Sequence, residues 1–279
     1  MALDMSTTEY PGKRACRVLL EQGCHESIAT GHNWEITFTN VDERVFRTAF
    51  LESHDHDRLF YNWKEYNHST RSLTIVMTSG AHASVAASTD RLIFSKLTPM
   101  DRLDDRLYPL GSRACTLEMP DGTRVTRKPD QAWMLINPKR QNGPIAVLEV
   151  EYSESHRDEL RSDVKKWLSA TNHNVQFAMT ISITPTYRNL TFQSWQLVKG
   201  GNIECTQSIQ LERSTGKPIK VSGNQSFKIP FNKLFLREPE GNEGDLIVTR
   251  DDLKTDAQGL WQVTDREVPG LESHMADSS

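Results

Sequence analysis

The reading turns on two stretches, Arg127-Lys128-Pro129-Asp130-Gln131-Ala132-Trp133-Met134-Leu135 and, after a loop, Pro144-Ile145-Ala146-Val147-Leu148-Glu149-Val150-Glu151-Tyr152. The second is a nearly continuous apolar run, the composition of a strand buried on both faces in the middle of a sheet. Side chains alternate along a strand, so Ile145, Val147, Glu149 and Glu151 share one face, and Ala146, Leu148, Val150 and Tyr152 the other. Two carboxylates therefore line one face near the strand's carboxyl end, where bare charge beside a core is costly unless paired, hydrated or bound to metal. The first stretch predicts a strand that begins close to Asp130 and runs through 131–136. If the two strands are neighbours, Asp130 meets Glu149 across one strand spacing, roughly 5 Å. Asp and Glu oxygens, completed by water and substrate phosphate, are the ligands Mg2+ prefers, and such an ion activates water and stabilises phosphoryl charge. A structural reading competes. In it Asp130 accepts backbone hydrogen bonds in the turn after Pro129, and Glu149 and Glu151 pair with Arg127, Lys128 or Lys139.

Working outward, Ser155-His156-Arg157-Asp158 has the S-x-x-D capping pattern. Leu160, Val164, Trp167 and Leu168 then fall on one helical face, which predicts a helix over 156–169. A strand over 175–183 follows, and strand, helix and strand in succession form a β-α-β unit with parallel strands. Upstream, alternation predicts strands over 34–39, 59–66 and 73–78, the last two a hairpin closed by Asn67-His68-Ser69-Thr70. A short helix is expected over 41–51, a helix rich in small residues over 81–97, and a strand over 115–119. Downstream, strands are expected over 191–198, 203–211 and 226–230. Residues 1–33, with Pro11, Gly12, Gly23 and Gly31, read as an irregular or marginally helical arm. The chain after Glu238 reads as a loop-like tail with one short ordered piece over 246–248. His54-Asp55-His56-Asp57 has metal-ligating residue types, but adjacent side chains seldom converge without a third partner, so a solvated loop is expected.

At 279 residues the chain suffices for one substantial core, or one core with a smaller appendage. Hydrophobic residues at 37% and charged residues at 25% leave no apolar stretch of the length a membrane helix needs. The opening residues lack the basic patch and apolar run of a signal peptide, so an intracellular location, cytoplasmic or nuclear, is expected. Cys16, Cys24, Cys115 and Cys205 form no C-x-x-C pair, which argues against a disulfide framework or a zinc ribbon. The net charge of -4 hides an asymmetry. Residues 238–279 hold eleven acidic residues against Arg250, Lys254 and Arg266, a balance of -8 that leaves +4 for the rest. A mildly basic body is compatible with phosphate contact but too weakly charged to predict nucleic-acid binding by itself.

The ordered set of P-D, loop, acid-bearing apolar strand, helix and strand resembles the PD-(D/E)XK nuclease superfamily over residues 59–211. More closely, the run Glu149-Val150-Glu151-Tyr152-Ser153-Glu154-Ser155 and the amphipathic helix after it resemble a fungal group of restriction-endonuclease-like proteins. The resemblance implies an α/β fold, a restriction-endonuclease-like central mixed β-sheet flanked by helices. That core would span 59–237, with an N-terminal extension over 1–58, a β-rich C-terminal part and the acidic segment 238–279. It implies Mg2+ or Mn2+ held by Asp130, as the motif aspartate, and Glu149, as the (D/E), in a nuclease acting on DNA or RNA, with a homodimer among the assemblies the resemblance allows. The superfamily's lysine, two residues after the acid, is Glu151 here, and a glutamate cannot replace lysine's stabilisation of negative charge. Related nucleases sometimes supply that cation from the next helix, which makes Lys166, and after it Lys165, the candidates. Arg127, Lys128, Lys139 and Arg140 surround the expected site in sequence and are candidate phosphate contacts. Loss of the lysine leaves an alternative, a nuclease-fold module that no longer cleaves and serves in nucleic-acid or protein binding.

Overall fold

The structure, a computed structural model, describes residues 6–30, 33–52, 62–78, 80–136, 143–152, 157–173, 175–184, 189–198, 200–214 and 217–267. The His54–Asp57 segment, Lys139, Arg140 and the capping residue Ser155 lie outside the described residues. In chain order the elements begin with β1 (Ser6–Glu9), α1 (Lys13–Thr30), β2 (Trp34–Thr39), α2 (Glu43–Phe46), β3 (Trp63–Asn67), β4 (Ser72–Met77) and α3 (Gly80–Leu97). Next come β5 (Leu107–Pro109), β6 (Cys115–Glu118), β7 (Arg124–Arg127), β8 (Gln131–Leu135), β9 (Ala146–Tyr152), α4 (Arg157–Ser169) and β10 (Phe177–Thr184). The chain continues with β11 (Asn189–Leu197), β12 (Ile203–Glu212), β13 (Lys220–Gly223), β14 (Ser226–Ile229), α5 (Phe231–Phe235), β15 (Leu246–Thr249) and α6 (Arg250–Glu267). This is a mixed α/β fold with helices flanking mixed sheets, and its contacts divide it into two compact units.

The first unit comprises residues 1–80, 114–128 and 265–279. Its six-stranded sheet runs β1-β2-β4-β3-β7-β6, with β1 parallel to β2 and the other pairs antiparallel. The expected hairpin is β3–β4, and Asn67 Oδ1 closes its turn by accepting the Ser69 and Thr70 N–H groups at 2.9 and 3.0 Å. Alternation on β4 buries Leu73, Ile75 and Met77 against Ile36 and Phe38 of β2 and against Phe46, Phe50 and Trp63. The N-terminal arm, expected to be irregular or marginally helical, is an 18-residue helix preceded by a strand. α1 buries Cys16, Leu20, Gly23 and Ser27, a narrow stripe of mostly small residues. Gly23, which reads as a helix breaker, sits where a Cβ would run into the Trp34 indole, so it permits close packing of the helix on β2.

The second unit comprises residues 81–113 and 129–264. Its seven-stranded sheet runs β13-β12-β11-β10-β9-β8-β5, and β14 pairs with β15 in a separate ribbon. β9 and β10 are parallel, joined by α4, and the other pairs are antiparallel, which gives the expected β-α-β unit within a mixed sheet. Leu160, Val164, Trp167 and Leu168 of α4 are buried as their spacing predicts. The expected loop-like tail is corrected by α6, whose Leu253, Ala257, Leu260 and Trp261 recur at helical spacing and join the core. A reciprocal cap starts that helix. Asp252 Oδ2 accepts from the Thr249 hydroxyl at 2.7 Å, and the Thr249 oxygen accepts the Asp252 N–H at 3.1 Å. Among the described residues no helix is long and apolar enough to cross a membrane.

Candidate functional site

β8 and β9 pair antiparallel with Gln131 opposite Leu148, Ala132 opposite Val147 and Trp133 opposite Ala146. One step further in that register sets Asp130, just ahead of β8, opposite Glu149. The contact is direct through the backbone, because the N–H of Val150 donates to Asp130 Oδ2 at 2.6 Å. The other oxygen, Oδ1, lies 2.8 Å from Nε2 of His82 in the first turn of α3. Two turns along α3, Asp90 receives Trp133 Nε1–H on Oδ1 at 2.7 Å and the Gln131 side-chain amide on Oδ2. Burial pushes the Asp90 carboxyl up from its ordinary value, and the bonds from Trp133 and Gln131 oppose that rise. Gln131 and Trp133 share the face of Leu148, so α3 covers that side of the sheet.

Glu149 points the other way. It is 1% exposed, and Trp167 of α4 donates its Nε1–H to Glu149 Oε1 at 2.5 Å. The established contacts of Asp130 and Glu149 thus come from β9 backbone and from helices on opposite faces of the sheet. Glu151, half-buried, follows two residues later on the Glu149 face and pairs in register with Ser182 of β10. On α4, Asp163 lies one turn before Trp167 and is also buried, at 7% exposure. Lys166 is half-buried with Nζ 3.8 Å from Asp163 Oδ1, and Lys165 is exposed. Among the described residues no group of three or more His, Cys, Asp or Glu side chains is placed to hold a metal ion. Two carboxylates are nonetheless the protein contribution Mg2+ commonly takes, with water and phosphate oxygens filling the rest of its octahedron. By residue type Asp130 and Glu149 suit such an ion, while their contacts lie against helices on opposite faces of the sheet.

The two described basic candidates belong to the first unit. Arg127 is fully buried at the end of β7, with Nη1 3.3 Å from Glu65 Oε2. A guanidinium in that position supports the sheet and is not presented to a phosphate backbone. Lys128 is half-buried with Nζ 4.4 Å from the centroid of a Trp63 ring, and burial lowers its pKa to about 8.

Comparison with known proteins leaves the family open. No family model matches the chain, and no curated protein matches it. Among solved structures, a protein from Anabaena variabilis provisionally assigned as a nuclease of the DUF820 group is similar at 13% identity and a TM-score of 0.37, over 70% of this chain and 90% of that one. A likeness at that level carries no inference about this chain's chemistry.

His82, Asp90 and Asp163 are the polar residues at this sheet end that the motif reading did not single out. The first two carry a signal: they lie eight residues apart in a stretch, 80–90, otherwise made of small and apolar residues, the spacing of two points on one helical face.

Proposed function

We propose that the protein is a divalent-cation-dependent phosphodiesterase acting on DNA or RNA, a member of the PD-(D/E)XK superfamily akin to its fungal group. Asp130 and Glu149 are the protein ligands of Mg2+ or Mn2+. The observation that supports this most directly is the register of β8 and β9, which makes the P-D aspartate and the strand acid cross-strand neighbours at one end of the sheet. The order of elements that follows, β9, α4 and a parallel β10, is the order the resemblance requires. The bound cation would supply an acidic water and neutralise charge on the phosphoryl oxygens. Glu151 orients the attacking water from the position where the superfamily has lysine. Lys166 supplies the positive charge from α4, with Asp163 holding its ammonium in place.

A second reading is favoured by a specific observation. Glu149 is buried under Trp167, and Asp130 is engaged by Val150 and His82, so both motif acids have structural partners without any ion. In that reading the fold is retained and cleavage is lost, leaving a binding module. Incubation with supercoiled plasmid, single-stranded DNA and RNA in Mg2+ or Mn2+ separates the two. Cleavage that disappears in both Asp130→Ala and Glu149→Ala supports the enzyme. Retained binding with no cleavage in the wild type establishes the module.

A further inference from the structure

We propose that His68 is a pH-sensitive latch at the edge of the first unit's sheet, accepting from Arg124 when neutral and turning to Glu43 when protonated. His68 directly follows β3, and its backbone N–H donates to the Arg124 carbonyl of β7 at 3.0 Å, which fixes the imidazole beside that arginine. Phe46 and Tyr66 stand edge-on to the ring with centroids 6.3 and 4.9 Å away, and the side chain is 13% exposed. Each ring nitrogen has a neighbour. Nε2 is 2.8 Å from the Thr126 hydroxyl, and Nδ1 is 3.1 Å from Arg124 Nη2 and 3.3 Å from Glu43 Oε1. Arg124 Nη2 also donates to that Glu43 oxygen at 2.9 Å.

A guanidinium only donates, so its bond to Nδ1 makes that nitrogen an acceptor and puts the neutral ring's hydrogen on Nε2, from which it donates to Thr126. The buried Thr126 hydroxyl keeps its own hydrogen for Thr116, 2.9 Å away. Protonation adds a second N–H, on Nδ1. There it meets the Arg124 donor at 3.1 Å, which is repulsive, while Glu43 stands ready to accept it, so Arg124 loses its acceptor on the ring. The other charges at this corner are Asp42, the cap of α2, whose carboxylate accepts the Arg44 N–H, and Arg71 of the β3–β4 turn; both act on the neighbouring Tyr66. Burial first and the Arg124 charge second lower the His68 pKa, against the pull of Glu43. The unfolded chain therefore holds this proton more tightly, and the stability the group contributes is present above 6.5 and lost as pH falls through the folded midpoint.

The test is a pH series of long-range 1H–15N spectra of the full chain, with the His68 ring signals assigned through its backbone. The neutral ring is expected to carry its hydrogen on Nε2 and to titrate below 6.5. Arg124→Gln, which removes the charge, is expected to raise that midpoint, and Glu43→Gln to lower it. The two side chains are 48% and 61% exposed, so both variants are expected to fold. In the wild type the Arg124 guanidinium signals are expected to shift with the His68 midpoint. The latch is overturned by a neutral ring with its hydrogen on Nδ1, by a midpoint that Arg124→Gln does not raise or Glu43→Gln does not lower, or by Arg124 signals that ignore the titration.

Discussion

Replacing Trp167 by phenylalanine isolates the interaction that holds Glu149 in the interior. The indole is fully buried, and its Nε1–H donates to a carboxylate that is 1% exposed. A hydrogen bond to a charged group contributes about 1.5–3 kcal/mol, because its loss leaves the partner's desolvation uncompensated. Shrinking a buried indole to a phenyl ring adds about 1 kcal/mol or more of lost packing. The sum, about 2.5–4 kcal/mol, divided by a urea slope of about 1–3 kcal/mol per molar, lowers the unfolding midpoint by at least about 0.8 M. Packing loss alone would also lower it, so the decisive measurement is a double-mutant cycle with Glu149→Met, followed by far-UV circular dichroism. In the methionine background no carboxylate remains to be stranded, and Trp167→Phe costs only its packing share. That share appears on both sides of the cycle and cancels, leaving an expected coupling of about 1.5–3 kcal/mol. A coupling within about 0.5 kcal/mol of zero refutes the account of how this acid is tolerated in the core.

Three further outcomes are expected. Thr249→Ala removes one half of the α6 cap and should cost about 1 kcal/mol, seen as a lower unfolding midpoint and faster amide exchange in the first turn of α6. Arg237 grips Glu243 with two bonds of 2.5 Å and holds its pKa down to about 2, so its carboxyl carbon should titrate near that pH by NMR and return toward 4.5 in Arg237→Gln. Because that pKa is depressed in the folded state, the stabilisation is present above the ordinary carboxylate range and disappears as pH falls toward about 2. Lys128 should show an ε-dimethylamine resonance titrating near pH 8 after reductive methylation with 13C-formaldehyde. Burial disfavours its charged form, so the unfolded chain binds the proton more tightly and stability from this group rises with pH between about 8 and 10.5.

What the sequence disclosed follows the range of the forces that decide each element. α4 and β9 are legible because their burial is written in local periodicity, Leu160, Val164, Trp167 and Leu168 on one and an unbroken apolar run on the other. α6 carries the same kind of stripe in Leu253, Ala257, Leu260 and Trp261, but the acidic composition of the segment outweighed it. Those acids are consistent with a helix, since Asp251 and Asp252 occupy its first turn, where negative charge is favoured. α1 is illegible for a different reason. The purpose of Gly23 is visible only once Trp34 stands against it, and local rules score that glycine as a break. The pairing of β7 with β3 joins residues about sixty positions apart, and no local pattern announces it.

The candidate site divides along the same line. Neighbouring strands made the approach of Asp130 and Glu149 foreseeable, whereas their side-chain partners come from α3 and α4 and depend on packing. The P-D dipeptide also has a topological task that needs no cation. The Lys128 N–H donates to the Lys64 carbonyl at 2.9 Å, extending the β7–β3 ladder, and Pro129 has no N–H with which to continue it. The next residue, Asp130, accepts the Val150 N–H and so opens the pairing of the other sheet. A proline followed by a short acceptor side chain is what such a departure from one sheet into another requires, whether or not the aspartate ever meets a metal. The dipeptide alone therefore does not distinguish a nuclease from a retained fold. The distinction falls to cleavage and cation binding measured in the Asp130 and Glu149 variants, since the Glu149–Trp167 pair reports on stability alone.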